Sequence, residues 1–150
     1  MSIVILDPYT DEFKAADRLF KEWCLHGSII VGVDFDDTVY DCHSNGFEFP
    51  YTVTTLKRAQ QLGAQLCVWT ANGDRELVQR TWDKLGLIYD CYNRSPIVFH
   101  KNQVKPYFNL LLDDRAGLSS ALHILNLAMV QYNHYLARKP DDTYTTSTQH

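Results

Sequence analysis

A chain of 150 residues with 45% hydrophobic and 21% charged positions has the composition of one globular domain with its own core, and leaves little room for a second. Its formal net charge of −4 lacks the footprint of a polyanion binder, so nucleic acid is a disfavoured partner, although a local basic patch stays open. No apolar run has the length of a membrane span, and the apolar Ile3, Val4, Ile5 and Leu6 stop at Asp7 and Pro8 instead of extending into a secretory leader, so a cytoplasmic protein is expected.

From Asp11 to about Leu25, Phe13, Ala16, Leu19, Phe20 and Trp23 recur at spacings of three and four, which predicts an amphipathic helix over 11–25 that Gly27 can end. Residues 29–33 are apolar on both faces, the pattern of a central parallel strand covered by helices on either side. A polar loop over 41–50 leads to a helix through Leu56, Ala59 and Leu62 that stops at Gly63, and 64–69 reads as the next buried strand. Asp74 can cap a third helix carrying Leu77, Val78, Trp82 and Leu85, which Gly86 stops. This repeated cadence of helix, Leu-Gly and strand is that of a parallel α/β sheet.

Two short apolar pieces, 87–92 and 97–99, are strand candidates, and 109–112 is a firmer one. A last helix over about 118–136 aligns Leu118, Leu122, Leu125, Met129, Tyr132 and Leu136 on one face. Residues 1–138 therefore read as a single domain with its core over 29–137, and the polar stretch 139–150 as a flexible tail. Cys24, Cys42, Cys67 and Cys91 are far apart and form no CxxC pair, so reduced thiols are the simplest reading.

The chemistry concentrates where strands end. The run 29–38 closes an apolar strand with Asp34, Asp36, Asp37 and Thr38, and carboxylates this close cannot all ionise unless a cation sits among them. Asp34 and Asp36, two apart, lean toward one point, which in open α/β sheets is where ligands bind. Leu110-Leu111-Leu112 also ends in acids, Asp113 and Asp114. If that strand is parallel and adjacent, Asp34, Asp36, Asp113 and Asp114 form an oxygen-donor set suited to a hard divalent cation such as Mg2+. Thr70, after Val68-Trp69, offers a hydroxyl to a phosphoryl oxygen, and Lys105 offers a compact positive charge.

Taken in order, Asp34-x-Asp36-x-Thr38, Thr70, Lys105-Pro106 and Asp113-Asp114-Arg115-Ala116 resemble the four motifs of the haloacid dehalogenase (HAD) superfamily, and most of all its small capless hydrolases. The resemblance covers roughly residues 29–117, and four motifs in order are far more specific than any one of them. It implies a Rossmannoid three-layer α/β sandwich with a mainly parallel central sheet and no substantial cap domain. It also implies that Asp34 is a nucleophile forming an aspartyl phosphate and Asp36 the acid and base. Thr70 and Lys105 would hold the transferred group, and Mg2+ would be bound through Asp34, the Asp36 carbonyl and the acidic pair. Which of Asp113 and Asp114 binds directly is left open. Asp37 departs from the pattern, since many members carry Gly there.

A lone Asp-x-Asp after a strand would be read first as a capped turn; the three further strand ends favour chemistry. Lys101 is a rival to Lys105, which its Pro106 neighbour favours. His43, Ser44 and Asn45 lie in the loop that should overhang the site and could touch a leaving group, but ordinary turn chemistry at Ser44-Asn45-Gly46 explains them more economically. Asn72, Arg75 and Arg94 lie in loops near strand ends, where an Arg could grip a second phosphate or simply be solvated. Tyr89, Tyr92 and Tyr107 could stack a base, but edge packing explains them more economically. The expected activity is hydrolysis of a phosphomonoester, with a nucleotide or other small phosphate as substrate and an oligomer as a possible roof for the open site. Open sites also admit nucleic-acid ends or a phosphoprotein. The rival is a module that sequesters a phosphorylated ligand without turnover. Response-regulator receivers use similar residues but place the acidic pair before the phospho-acceptor, the reverse of the order here.

Overall fold

The computed structural model describes residues 7–140. The expectations for Ile3 to Leu6 and for the tail beyond Pro140 fall outside the described residues. A short 3-10 turn, Pro8–Thr10, precedes α1 (Glu12–His26), β1 (Ile30–Val33), α2 (Pro50–Gln61), β2 (Gln65–Val68), α3 (Arg75–Leu85), β3 (Cys91–Tyr92), β4 (Leu110–Leu112) and α4 (Leu118–Arg138). The helix limits follow from their caps. The Asp11 carboxylate accepts the Phe13 and Lys14 N–H groups, and Gly27, at φ 67°, returns its own N–H to the Trp23 carbonyl. Asp74 caps α3 through Leu77 N–H, and Gly86 ends it at φ 72°. These are the positions where a carboxylate satisfies orphan donors and glycine takes the left-handed conformation without penalty.

The four strands form one sheet in the order β3-β2-β1-β4, with every pairing parallel. The chain moves from β1 to β2 and β3 on one side, then returns to place β4 on the other. The switch point of this α/β sheet therefore lies between the C-terminal ends of β1 and β4, where such folds bind ligands.

Register assigns the two faces. Val31 lies opposite Leu66 and Leu110, and Val33 opposite Val68 and Leu112, so these residues share a face. They join one buried cluster with Trp23 of α1, Leu56 of α2, Trp82 of α3 and Leu125 of α4. The other face holds Ile30, Cys67 and Cys91, packed against Tyr107 and Phe108. All four helices contribute to the first cluster, whereas the second face is covered by the irregular connection 93–109. The expected helices on either side of β1 thus become helices on one side and an irregular layer on the other. Crossover handedness explains this: advancing connections lie on one face, and the returning one must cross the opposite face.

Gly32 meets that layer directly. A Cβ at this position would stand 2.5 Å from Phe108 Cδ2, so the absence of a side chain lets the aromatic ring lie on the strand. The structure departs from two of the strand expectations, the second of them because of this crossing. Of 87–92 only Cys91–Tyr92 pairs, and 97–99 forms no strand, with Val98 and Phe99 exposed. A segment that crosses over a sheet cannot also run alongside it. No helix among the described residues is long and apolar enough to cross a membrane.

Candidate active site

Alternation along the strand carries past β1. Val31, Val33 and Phe35 are fully buried, and Phe35 stacks on Tyr40 with ring centroids 4.8 Å apart. With Phe35 fixed on the helix-facing side, Asp34 and Asp36 are turned to the opposite one. The chain then doubles back tightly. The Val39 and Tyr40 N–H groups each donate to the Phe35 carbonyl at 3.1 Å, and the Asp37 N–H donates to the Tyr40 carbonyl at 2.8 Å. Asp37 adopts φ 57°. This is a left-handed position, where glycine is free of strain and Asp is among the few tolerated alternatives.

The end of β4 completes the group. The Asp34 N–H donates to the Leu112 carbonyl at 2.9 Å, locking the two strand ends together. Thr38, fully buried, accepts the Asp114 N–H at 3.1 Å on its hydroxyl. That hydroxyl lies 3.4 Å from both Asp34 Oδ2 and Asp114 Oδ1, and its single proton serves one of them at a time. One carboxylate oxygen from each of Asp34, Asp113 and Asp114 lies within 4.8 Å of the others. Burial first, then a hydrogen bond with Asp114 and the charges of Asp113 and Asp114, push the Asp34 carboxyl up from 3.8 to about 7, against a lowering contribution from the Phe35 N–H. Three acids so placed share a proton or a cation.

The end of β2 supplies the other wall. The Thr70 N–H donates to Asn93 Oδ1 at 2.8 Å, and the Thr70 hydroxyl accepts the Asn72 N–H at 3.0 Å. Asn72 is engaged throughout. Its Nδ2 donates to Asp36 Oδ1 at 3.2 Å, its Oδ1 accepts the Asp74 N–H, and its carbonyl accepts the Tyr92 hydroxyl. Asp36 is therefore aimed by a residue that is itself held at three further points, one on its side chain and two on its backbone. Sequence reading noted Asn72 only as a loop residue and missed Asn93 altogether. The available signal was a pair of amides just past two adjacent strand ends.

The resulting cleft, of about 720 Å3, is lined by Asp34, Asp36, Thr70, Asp113 and Asp114, together with Asp37, Cys42, His43, Trp69 and Arg115. Lys105 is not among the residues brought together here. It lines an adjoining cavity of about 460 Å3 with Arg94, sharing the Trp69 and Asn93 walls with the main cleft. The irregular 93–109 layer carries Lys105 into the lining of that cavity, a path its spacing to Asp113 alone does not fix. Arg75 lies over the Tyr92 ring at 4.8 Å, a packing role in place of a phosphate grip. Tyr92 and Tyr107 are likewise committed, Tyr92 to the Asn72 carbonyl and Tyr107 to the second face of the sheet. The 41–50 loop is a turn, not a cap: the Asp41 carboxylate accepts the N–H groups of Asn45, Gly46 and Phe47.

No family model matches this chain, and no curated protein does. Among solved structures, a conserved protein from Bacteroides thetaiotaomicron is similar, at 26% identity and a TM-score of 0.50, over 79% of this chain and 99% of that one. The fold is a small Rossmann-like α/β domain. That neighbour shares the fold, and its description names no activity.

Proposed function

We propose that this chain is a Mg2+-dependent phosphomonoester hydrolase of the HAD type that works through Asp34. The observation carrying the proposal is the convergence of Asp34, Asp113 and Asp114, one oxygen each within 4.8 Å, at the switch point of a parallel sheet. An all-oxygen, carboxylate-rich donor set fits a hard divalent cation. Asp34, Asp113 and Asp114 would hold it, with Asp36 beside them as the resemblance implies. Bound there, Mg2+ supplies the positive charge that lets a carboxylate approach a phosphate, and it keeps Asp34 ionised near neutral pH.

The remaining steps belong to the chain itself. An Asp34 carboxylate oxygen attacks phosphorus, the bond to the leaving oxygen breaks, and Asp36 delivers its proton to that oxygen. Water then attacks the aspartyl phosphate while Asp36 takes up its proton, so inorganic phosphate leaves and Asp34 is restored. Asn72, donating to Asp36 Oδ1 at 3.2 Å, steadies the acid and base, and the Thr70 hydroxyl is positioned to hold a phosphoryl oxygen. Lys105, in the next cavity with Arg94, is assigned to the leaving-group side of the substrate, away from the nucleophile.

Among the described residues no cap covers the cleft, which leaves room for a large substrate, but a net charge of −4 disfavours a polyanion, so the substrate is a small phosphomonoester, a nucleotide or one of similar size, whose remainder extends past Trp69. A second reading, a module that binds a phosphorylated ligand without turning it over, draws on the same position of Lys105 outside the carboxylate group. The test is phosphate release from an aryl phosphate and from a panel of nucleotides, sugar phosphates and 5′-phosphorylated oligonucleotides, with Mg2+ and with chelator. Release that needs Mg2+ and Asp34 supports hydrolysis. Binding with no release from any member supports sequestration.

A further inference from the structure

We propose that Asp37, Cys42 and His43 form a second cation site, for a borderline-soft divalent ion of the zinc type, at the mouth of the cleft. A carboxylate oxygen of Asp37, the sulfur of Cys42 and a ring nitrogen of His43 lie within 4.8 Å of one another. His43 Nε2 stands 3.8 Å from Asp37 Oδ2. Four-coordinate zinc, with bonds of about 2.0–2.3 Å, sets its ligand atoms roughly 3.3–3.8 Å apart, so closure asks each pair to approach by about 1.5 Å at most.

The donor chemistry separates this group from the oxygen-only set of Asp34, Asp113 and Asp114. One sulfur, one imidazole nitrogen and one carboxylate favour zinc over magnesium, and three protein ligands would leave a fourth position for water or a substrate group, as in open zinc sites.

Two observations show the loop already shaped for this. The Asp41 carboxylate gathers the N–H groups of Asn45, Gly46 and Phe47 at 3.1, 2.8 and 3.1 Å, fixing the segment that carries Cys42 and His43 before any ion arrives. Asp37 holds a left-handed conformation at φ 57° that glycine would adopt without strain, and its carboxylate faces both of the other ligands. A preordered loop spares the ion the cost of ordering its ligands. On binding, Cys42 ligates as thiolate and its proton goes to solvent. A bound ion would tie residue 37, next to Asp36, to residues 42 and 43 in the wall of the cleft.

The test loads the full chain with Co2+ and Zn2+ in excess Mg2+, alongside Cys42→Ser, His43→Ala and Asp34→Asn, each checked for folding by circular dichroism. The wild type and Asp34→Asn should each bind one Zn2+ and give a thiolate-to-cobalt charge-transfer band. Cys42→Ser should lose the band, and both it and His43→Ala should bind Zn2+ at least tenfold more weakly. Absence of the band in the folded wild type overturns the proposal. So does Zn2+ binding that Asp34→Asn abolishes while Cys42→Ser and His43→Ala leave it intact, because the ion then sits among the carboxylates.

Discussion

Asp34→Asn keeps the shape of the side chain and removes one negative charge from the most crowded point of the fold. Without a divalent ion, the folded protein holds the Asp34 proton up to about pH 7, against 3.8 for an ordinary carboxyl, with burial as the first cause. Between those values the folded state binds a proton that the unfolded state releases. The Asp34 contribution to stability is therefore fully present below about pH 4, falls as pH rises toward 7, and levels off above. At about 1.36 kcal/mol per pH unit the full effect would be about 4 kcal/mol. Asp34 is only part-buried, and solvent screening reduces this to on the order of 1–2 kcal/mol. In a domain of this size each kcal/mol moves the melting temperature by about 2–4 °C, so metal-free Asp34→Asn should melt roughly 3–6 °C above the wild type at pH 7.5. The gap should close near pH 4, where both side chains are neutral. Saturating Mg2+ should raise the wild type more than the variant. Scanning calorimetry with chelator and then with Mg2+ reads all three. A variant no more stable than the wild type at pH 7.5, or a gap that does not shrink in acid, would refute the electrostatic reasoning.

Asp36→Asn should reduce phosphate release by about a hundredfold or more while Mg2+ affinity, measured by calorimetry, changes little. Asn72→Ala frees Asp36 Oδ1 from its donor at 3.2 Å; kcat should fall and its pH profile shift, with KM nearly unchanged, as suits a positioning residue. Gly32→Ala drives a Cβ to 2.5 Å from Phe108 and should lower stability by about 1–3 kcal/mol. In a double-mutant cycle with Phe108→Ala, the chemical-denaturation penalties should be less than additive. Asp37→Gly relieves the left-handed strain at φ 57°, so the metal-free protein should gain up to about 1 kcal/mol, read as a higher denaturation midpoint.

Local chemistry was legible in the sequence; the path of the irregular chain was not. Gly27, Asp74 and Gly86 cap their helices where the sequence placed them, and Asp11, read as the first helical residue, caps the helix, which begins one position later, because capping depends on a few neighbouring backbone groups. The pairing of Asp34 with Asp113 and Asp114 followed from two apolar strands ending in acids, since parallel neighbours bring their ends to one edge. Lys105 and the cover of the second sheet face were not legible. Both ride on the 93–109 connection, which has no periodicity and is guided by a contact between Phe108 and Gly32 far apart in sequence. Asn72 escaped for a related reason: its grip on Asp36 exists only once β2 lies beside β1.

The central claim is that Asp34 itself takes the phosphoryl group. The most direct measurement quenches the Asp36→Asn variant with acid during reaction with a reactive aryl phosphate and Mg2+, and maps phosphorylation by mass spectrometry. A phosphoryl group on the peptide carrying Asp34, present with Mg2+ and lost on chelation or in the Asp34→Asn/Asp36→Asn double variant, is the predicted result. Phosphorylation at another residue, or an Asp34→Asn protein that still releases phosphate at the wild-type rate, would contradict it.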